Sequence, residues 1–372
     1  MSLFSLWVRH LRRRTPLRRR ALGRCTLVVE ALESRWLPST NVLTYHNDSA
    51  STGLNATETQ LTPANVKVGS FQKLYTASLD GQVYAEPLVD TGITIAAGPN
   101  TVGSTGTHDI VLVATEHDSL YAIDSSALGG AAVLWQRTFL DATATGATPE
   151  TNIDNTLGAT TITTVSSNDV GTGDISPEIG ITGTPVIDPT TNILYVVVKT
   201  KETIGGTTHF VQRLHAIDIS NGTDAVAPAL IGDTVADNTN NTSIYCYGTG
   251  DGAVTDPYNG TGKQVVQFNA LHEAERGALK LVNGSVYVEW ASHGDNGPYH
   301  GWVVKWNVAQ LKTSGFQMTG VFCTSPNDGL SGIWEGGGGL TFEPDGSAFY
   351  FETGNGSGGA PTLNAQGFPS DA

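Results

Sequence analysis

The chain has 372 residues, enough for one large all-β domain or two ordinary ones. Gly numbers 44 against only 20 Lys plus Arg, the make-up of strands joined by many turns, and 39% apolar residues suffice for a packed core. Residues 1–40 hold nine Arg against Glu30 and Glu33, a local +7, so with a total of −15 the remaining residues carry −22. A body this acidic is a poor partner for nucleic-acid phosphates, which need a basic surface, and suits a secreted or surface protein kept soluble by self-repulsion.

Residues 1–40 read as a basic, disordered leader outside the fold. The segment LRRRTPLRRRALGRCTLVVEALESRWLPS lacks the apolar stretch of roughly 7–15 residues that a secretory signal needs. Its second half, LVVEALESRWLPS, resembles the export-associated N-terminal segment of planctomycete surface and secreted proteins, through Leu27, Glu30, Leu32, Glu33, Arg35, Leu37, Pro38 and Ser39. That resemblance implies an extracellular, periplasmic or cell-surface location. No run of 18 apolar residues exists, so no membrane-spanning helix is expected.

From Val42 the pattern is β. SFQKLYTASLDGQVYAEPLVD alternates around Asp80-Gly81, a hairpin signal, with Val83, Ala85 and Leu88 on an inner strand. DIVLVAT and SLYAID form two strands joined by the turn Glu116-His117-Asp118-Ser119, and Leu134-Trp135 opens a further strand. Asp141 to Asp174 has no steady period and reads as a long inserted loop. GITGTPVIDPTTNILYVVVKTKE starts a new unit with a turn at Asp188-Pro189. Residues 232–262, rich in Asn, Thr, Gly and Asp, read as a second insertion. Strands resume at GALKLVNGSVYVEWASH, turning at Asn283-Gly284, continue through GWVVKWNVAQL, and end in GGGLTFEPDGSAFYFETGNGS with a turn at Asp345-Gly346.

Two phrases are related. LVATEHDSLYAID, ending at Asp124, returns in looser form as LYVVVKTKE and VQRLHAID, ending at Asp218. Self-similarity over a long period in an all-β chain predicts a β-propeller of four-stranded antiparallel blades over residues 41–357. Blade openings fall near Gly81, Gly180, Arg276 and Gly336. GGAPTLNAQGFPSDA offers no closing strand, so residues 358–372 read as a truncated or disordered tail and the ring as incomplete.

These phrases resemble the quinoprotein-type, pyrroloquinoline-quinone-repeat propellers. The residues that carry the resemblance are Tyr121-Ala122-Ile123-Asp124, His215-Ala216-Ile217-Asp218, Gly183-Thr184-Pro185-Val186 and Trp135. TYHNDSASTGLN, ATEHDSLYAID, EIGITGTPVID, ASHGDNGPYHGW and ETGNGS look more narrowly like an uncharacterised bacterial and fungal branch. The resemblance implies pyrroloquinoline quinone and Ca2+ as cofactors. It also exposes departures: the alcohol-type dehydrogenases place two adjacent Cys under the quinone, and this chain has no adjacent pair.

Several clusters could carry chemistry. Trp290-Ala-Ser-His293-Gly-Asp295-Asn296-Gly-Pro-Tyr299-His300-Gly-Trp302 gathers metal-ligand types, His293, Asp295 and His300, with Trp290 and Trp302 suited to stacking on a flat ligand or a sugar. The same residues also read as a turn flanked by core Trp. Glu116 lies at a turn where it could act as a base, with a solvated hairpin as the alternative. Asp174 and Glu178 could hold calcium or simply cap a turn. Trp334, Glu335 and the following glycines, with Glu352 and Asn355, mark a close approach to a ligand or the ring axis. On this reading Glu116 and Glu335 are the catalytic carboxylates, and Trp290, Trp302, Trp334 and Asn355 hold the cofactor. Cys246 and Cys323 could pair, but two separate buried thiols is the simpler reading. Three functions stay open: a scaffold for a small-molecule or surface-polymer ligand, a quinone-dependent oxidoreductase acting on alcohols or sugars, and a purely structural module.

Overall fold

The computed structural model describes residues 41–356, apart from residues 57, 60, 74, 127–131 and 141–155. The leader, part of the first insertion and the tail lie outside the described residues. The described chain is all-β, built from antiparallel sheets that follow one another along the sequence. No helix in it is long and apolar enough to cross a membrane.

The first sheet is a four-stranded meander of β1 (Leu88–Ile95), β2 (Gly106–Thr115), β3 (Ser119–Asp124) and β4 (Ala132–Thr138). Its centre is LVAT paired with SLYA, Leu112 facing Ala122 and Thr115 facing Ser119. The turn between them falls at Glu116–Asp118 as the sequence predicts, with Asp118 at φ 50 and its N–H donating to Thr115 O over 3.1 Å.

The second sheet contains β5 (Thr161–Ser166), β6 (Glu178–Ile179), β7 (Val186–Asp188), β8 (Ile193–Ile204), β9 (Thr207–Asp218), β10 (Thr223–Asp224), β11 (Ala229–Val235) and β12 (Asn240–Asn241). β8 and β9 pair over twelve positions, from Ile193–Asp218 to Ile204–Thr207. The third sheet is small: β13 (Tyr245–Tyr247), β14 (Val254–Thr255) and β15 (Gln264–Gln267). The fourth joins β16 (Glu273–Ala274), β17 (Lys280–Val282), β18 (Ser285–Ser292), β19 (Trp302–Asn307) and β20 (Gln317–Cys323). β21 (Thr341–Phe342) and β22 (Phe349–Tyr350) close the described chain around the Asp345-Gly346 turn.

Three stretches differ from the sequence reading. The run before Leu88 is not a hairpin: no strand forms among its described residues, and Val83 is exposed. Asp80 instead accepts the Thr115 and Ser119 hydroxyls at 3.0 and 2.6 Å, so its carboxylate caps the β2–β3 turn. The first insertion contains β5, whose Thr-rich strand pairs with the far end of β8. The second contains β12, β13 and β14. β-branched Thr fits a pleated sheet, but without apolar alternation it leaves no period to read.

Two apolar clusters make most of the core. One fills the space between the first and second sheets, around Ile110, Leu112, Leu120, Trp135, Leu194 and Val196. The other lies among the second, third and fourth, around Val197, Leu214, Phe268, Trp290, Trp302 and Trp306. Trp135 donates its indole N–H to Ile219 O at 2.8 Å, tying β4 to the turn after β9. Beside it, Arg137 pairs with Asp224 at 2.6 Å, both side chains fully buried.

Candidate functional site

A cavity of about 240 Å3 opens where the ends of several strands meet. β8 supplies Val197 and Lys199, and β16 with its following residues supplies Ala274, Glu275 and Arg276. The end of β18 supplies Ser292 and His293, and the segment leading to β7 supplies Asp174, Ile175, Ile179, Gly180 and Thr182. Tyr84 and Trp334 complete the wall.

Lys199 follows three valines in a strand buried on both faces, so its long chain stays inside the protein, at the cavity wall. Its ammonium donates to Leu271 O at 2.8 Å and Glu273 O at 3.2 Å. Complete burial lowers it from 10.5 to about 7, against the pull of Glu273, Asp174 and Glu116. Glu275 is buried, and one carboxyl oxygen accepts the Gly183 N–H at 3.1 Å while the other has no protein partner. Burial, against the Gly183 N–H and the charge of Arg276, holds it well above the ordinary carboxyl range.

His293 is 1% exposed. Its Nδ1 lies 3.5 Å from Asp174 Oδ2, too long for a good hydrogen bond, and its Nε2 has no protein partner. Burial, with Lys199 nearby, lowers it to about 4, so the ring is neutral at pH 7. Burial pushes Asp174 up, but its contact with His293 and the Ile175 N–H outweigh this and hold it below the usual range. Arg276 lies over the Tyr84 ring, 5.9 Å from its centroid. Its position depends on Gly337 at φ 98, where a Cβ would stand 2.7 Å from the guanidinium.

Glu116 sits directly behind this wall. One carboxyl oxygen accepts the Gly180 N–H at 2.8 Å and the Thr182 hydroxyl at 3.1 Å. The other has no protein partner. Burial pushes this carboxyl from 4.5 to about 7.

Of the residues singled out from sequence, the structure gathers Asp174, His293 and Trp334 at the cavity. Glu178 is outside it, paired with His117 at 2.9 Å. Glu335 adjoins Trp334 and accepts the Glu352 N–H. Asp295 and Asn355 pair with each other at 2.7 Å, and Asp295 also accepts the Tyr299 hydroxyl at 2.6 Å. Trp290 and Trp302 are core residues, their indoles bonded to Gln212 and Glu273. Both His300 nitrogens are engaged, by Ser325 and by Asp251 O. The sets His293, Asp295, His300 and Asp174, Glu178 are therefore not drawn together. Among the described residues no three His, Cys, Asp or Glu side chains converge as metal ligands.

No protein-family model and no curated protein matches this chain. The resemblance to quinoprotein repeats thus rests on the quoted phrases alone. Sequence reasoning passed over Lys199, Glu275, Arg276 and Tyr84. A signal existed for Lys199, a lone cation in the run LYVVVKT. Glu275-Arg276 lie in HEAER, which reads only as a failed zinc motif because Arg276 stands where a second His belongs.

Proposed function

We propose that this chain is a quinoprotein-type β-propeller, at the cell surface or outside the cell, that serves as a binding scaffold. Its ligand is a small, uncharged, polyhydroxylated molecule of sugar type, held in the cavity between Trp334, Glu275 and Lys199. The succession of antiparallel sheets in chain order, beginning with a four-stranded meander, supports the propeller reading.

One observation carries the ligand. Glu275 and His293, both buried in the cavity wall, each keep a polar atom with no protein partner. Such an atom costs about 1–3 kcal/mol when left unsatisfied, a cost that a ligand hydroxyl reaching the wall would recover. A buried carboxyl held above its usual range, a neutral imidazole and a lysine near its midpoint offer donors and acceptors, and the charges of Asp174 and Arg276 oppose each other across the same wall. Trp334 and Tyr84 add the aromatic faces on which sugar rings stack.

The oxidoreductase reading draws on Glu116, whose carboxyl is poised to exchange a proton near neutral pH. For its calcium, no three His, Cys, Asp or Glu side chains gather among the described residues. The test is saturation-transfer NMR and thermal shift on the folded chain with neutral mono- and disaccharides, and separately with pyrroloquinoline quinone plus Ca2+. We expect a saccharide to bind saturably and Trp334→Ala to abolish it. Silence toward every saccharide, or binding that survives Trp334→Ala, would sink the proposal; saturable quinone binding would put the rival first.

A further inference from the structure

We infer that Cys246 and Cys323 form a disulfide that pins the third sheet to the fourth. The inference is independent of the cavity and its ligand.

The two cysteines lie 77 residues apart, Cys246 in the middle of β13 and Cys323 at the end of β20. Cys246 packs against the apolar cluster that contains Cys323, and the two side chains are within hydrogen-bonding contact. Both are thiols in this structure. The backbone beyond them explains why they meet. After Cys246 the chain runs along the segment that follows Cys323: the Thr249 N–H donates to Asn327 Oδ1 at 3.1 Å, the Gly250 N–H to Pro326 O at 2.9 Å and the Asp251 N–H to Asp328 O at 2.9 Å. Gly248 permits this approach, since a Cβ there would run into Pro326 O. His300 then bridges the two segments, one ring nitrogen on Asp251 O at 2.9 Å and the other on Ser325 O at 3.1 Å. A fixed backbone pairing beyond the thiols thus keeps the two chain segments side by side where the thiols meet.

Access is one-sided: Cys323 is 1% exposed, whereas Cys246 is half-buried. Oxidation therefore begins at Cys246. Its thiolate attacks a disulfide oxidant, either a thiol–disulfide oxidoreductase or a low-molecular-weight disulfide, and releases one oxidant thiol. Cys323 Sγ then attacks Cys246 Sγ, loses its proton and displaces the second oxidant thiol. Two electrons pass from the protein to the oxidant, the Cys246–Cys323 bond forms, and the oxidant ends as two thiols.

The test is peptide mapping of the full chain after incubation with glutathione disulfide, without reduction. We expect a cross-linked peptide containing Cys246 and Cys323, lighter by two hydrogens than its parts and lost on reduction, with Cys25 alone open to alkylation after denaturation. Closing a loop of this length raises Tm by roughly 5–10 °C. Reductant should therefore lower the Tm of the oxidised protein by that amount and leave Cys246→Ser unchanged. Free alkylation of both cysteines after oxidant treatment, or a link from either to Cys25, would overturn the inference. So would a Cys246→Ser variant whose Tm still fell with reductant.

Discussion

Glu116 makes the stability of this protein depend on pH in a way that one substitution should remove. Its folded value, about 7, lies above the unfolded 4.5. Below 4.5 both states are protonated and the group contributes nothing adverse. Between 4.5 and 7 the unfolded chain releases the proton while the folded one keeps it, so stability falls by about 1.4 kcal/mol per pH unit. Above 7 the loss is complete, about 3 kcal/mol. In Glu116→Gln the amide oxygen keeps both acceptor roles, toward Gly180 and Thr182, and the NH2 stands where the protonated oxygen was. The variant is thus a permanent mimic of the protonated acid. Urea unfolding from pH 4.5 to 8.5 should show the two proteins within about 1 kcal/mol of each other at pH 5 and Glu116→Gln more stable by about 3 kcal/mol at pH 8. A variant less stable than wild type at pH 8, or a gap constant across the range, would refute the burial argument.

Lys199 shows the opposite sign: its folded value, about 7, lies below 10.5, so stability is lost as pH falls from 10.5 toward 7. Lys199→Met should erase that slope, about 1.4 kcal/mol per unit, in unfolding curves between pH 7.5 and 9.5. Gly183→Ala drives a Cβ into the Glu275 carboxyl and should destabilise by about 1–3 kcal/mol. Glu275→Ala makes room, so a double-mutant cycle should show coupling of about 1 kcal/mol or more, whereas additive costs would count against the contact. Asp224→Ala removes a carboxylate paired with fully buried Arg137 and should cost about 3–5 kcal/mol by urea denaturation. A cost under about 1 kcal/mol there would mean that the pair is not buried in solution.

Strands that alternate apolar and polar residues, or that end in a tight Asp or Asn turn, were legible from residues alone. Glu116–Asp118, Asn283-Gly284 and Asp345-Gly346 all turn where their chemistry demands it. β5 and β13 were not, because Thr, Asn and Tyr pair through backbone bonds that leave no period in the side chains. The alternating run before Leu88 misled for the converse reason. Its Asp80 has a stronger use as a cap on the next turn than as the corner of a hairpin. The cavity was half visible. Asp174, His293 and Trp334 stand in conspicuous clusters, but Glu275 and Lys199 meet them only through tertiary approach. Aromatic and His-rich phrases also serve the core, which is where Trp290, Trp302 and His300 reside.

The central claim is that the cavity beside Trp334 receives a small polyhydroxylated ligand. A crystal structure of the full chain at saturating concentration of whichever saccharide binds in solution tests it most directly. The account predicts the sugar ring against Trp334, with hydroxyls bonded to the Glu275 carboxyl and to His293 Nε2. Density for the ligand at any other surface, or a cavity wall in which Glu275 and His293 find partners within the protein, would contradict it.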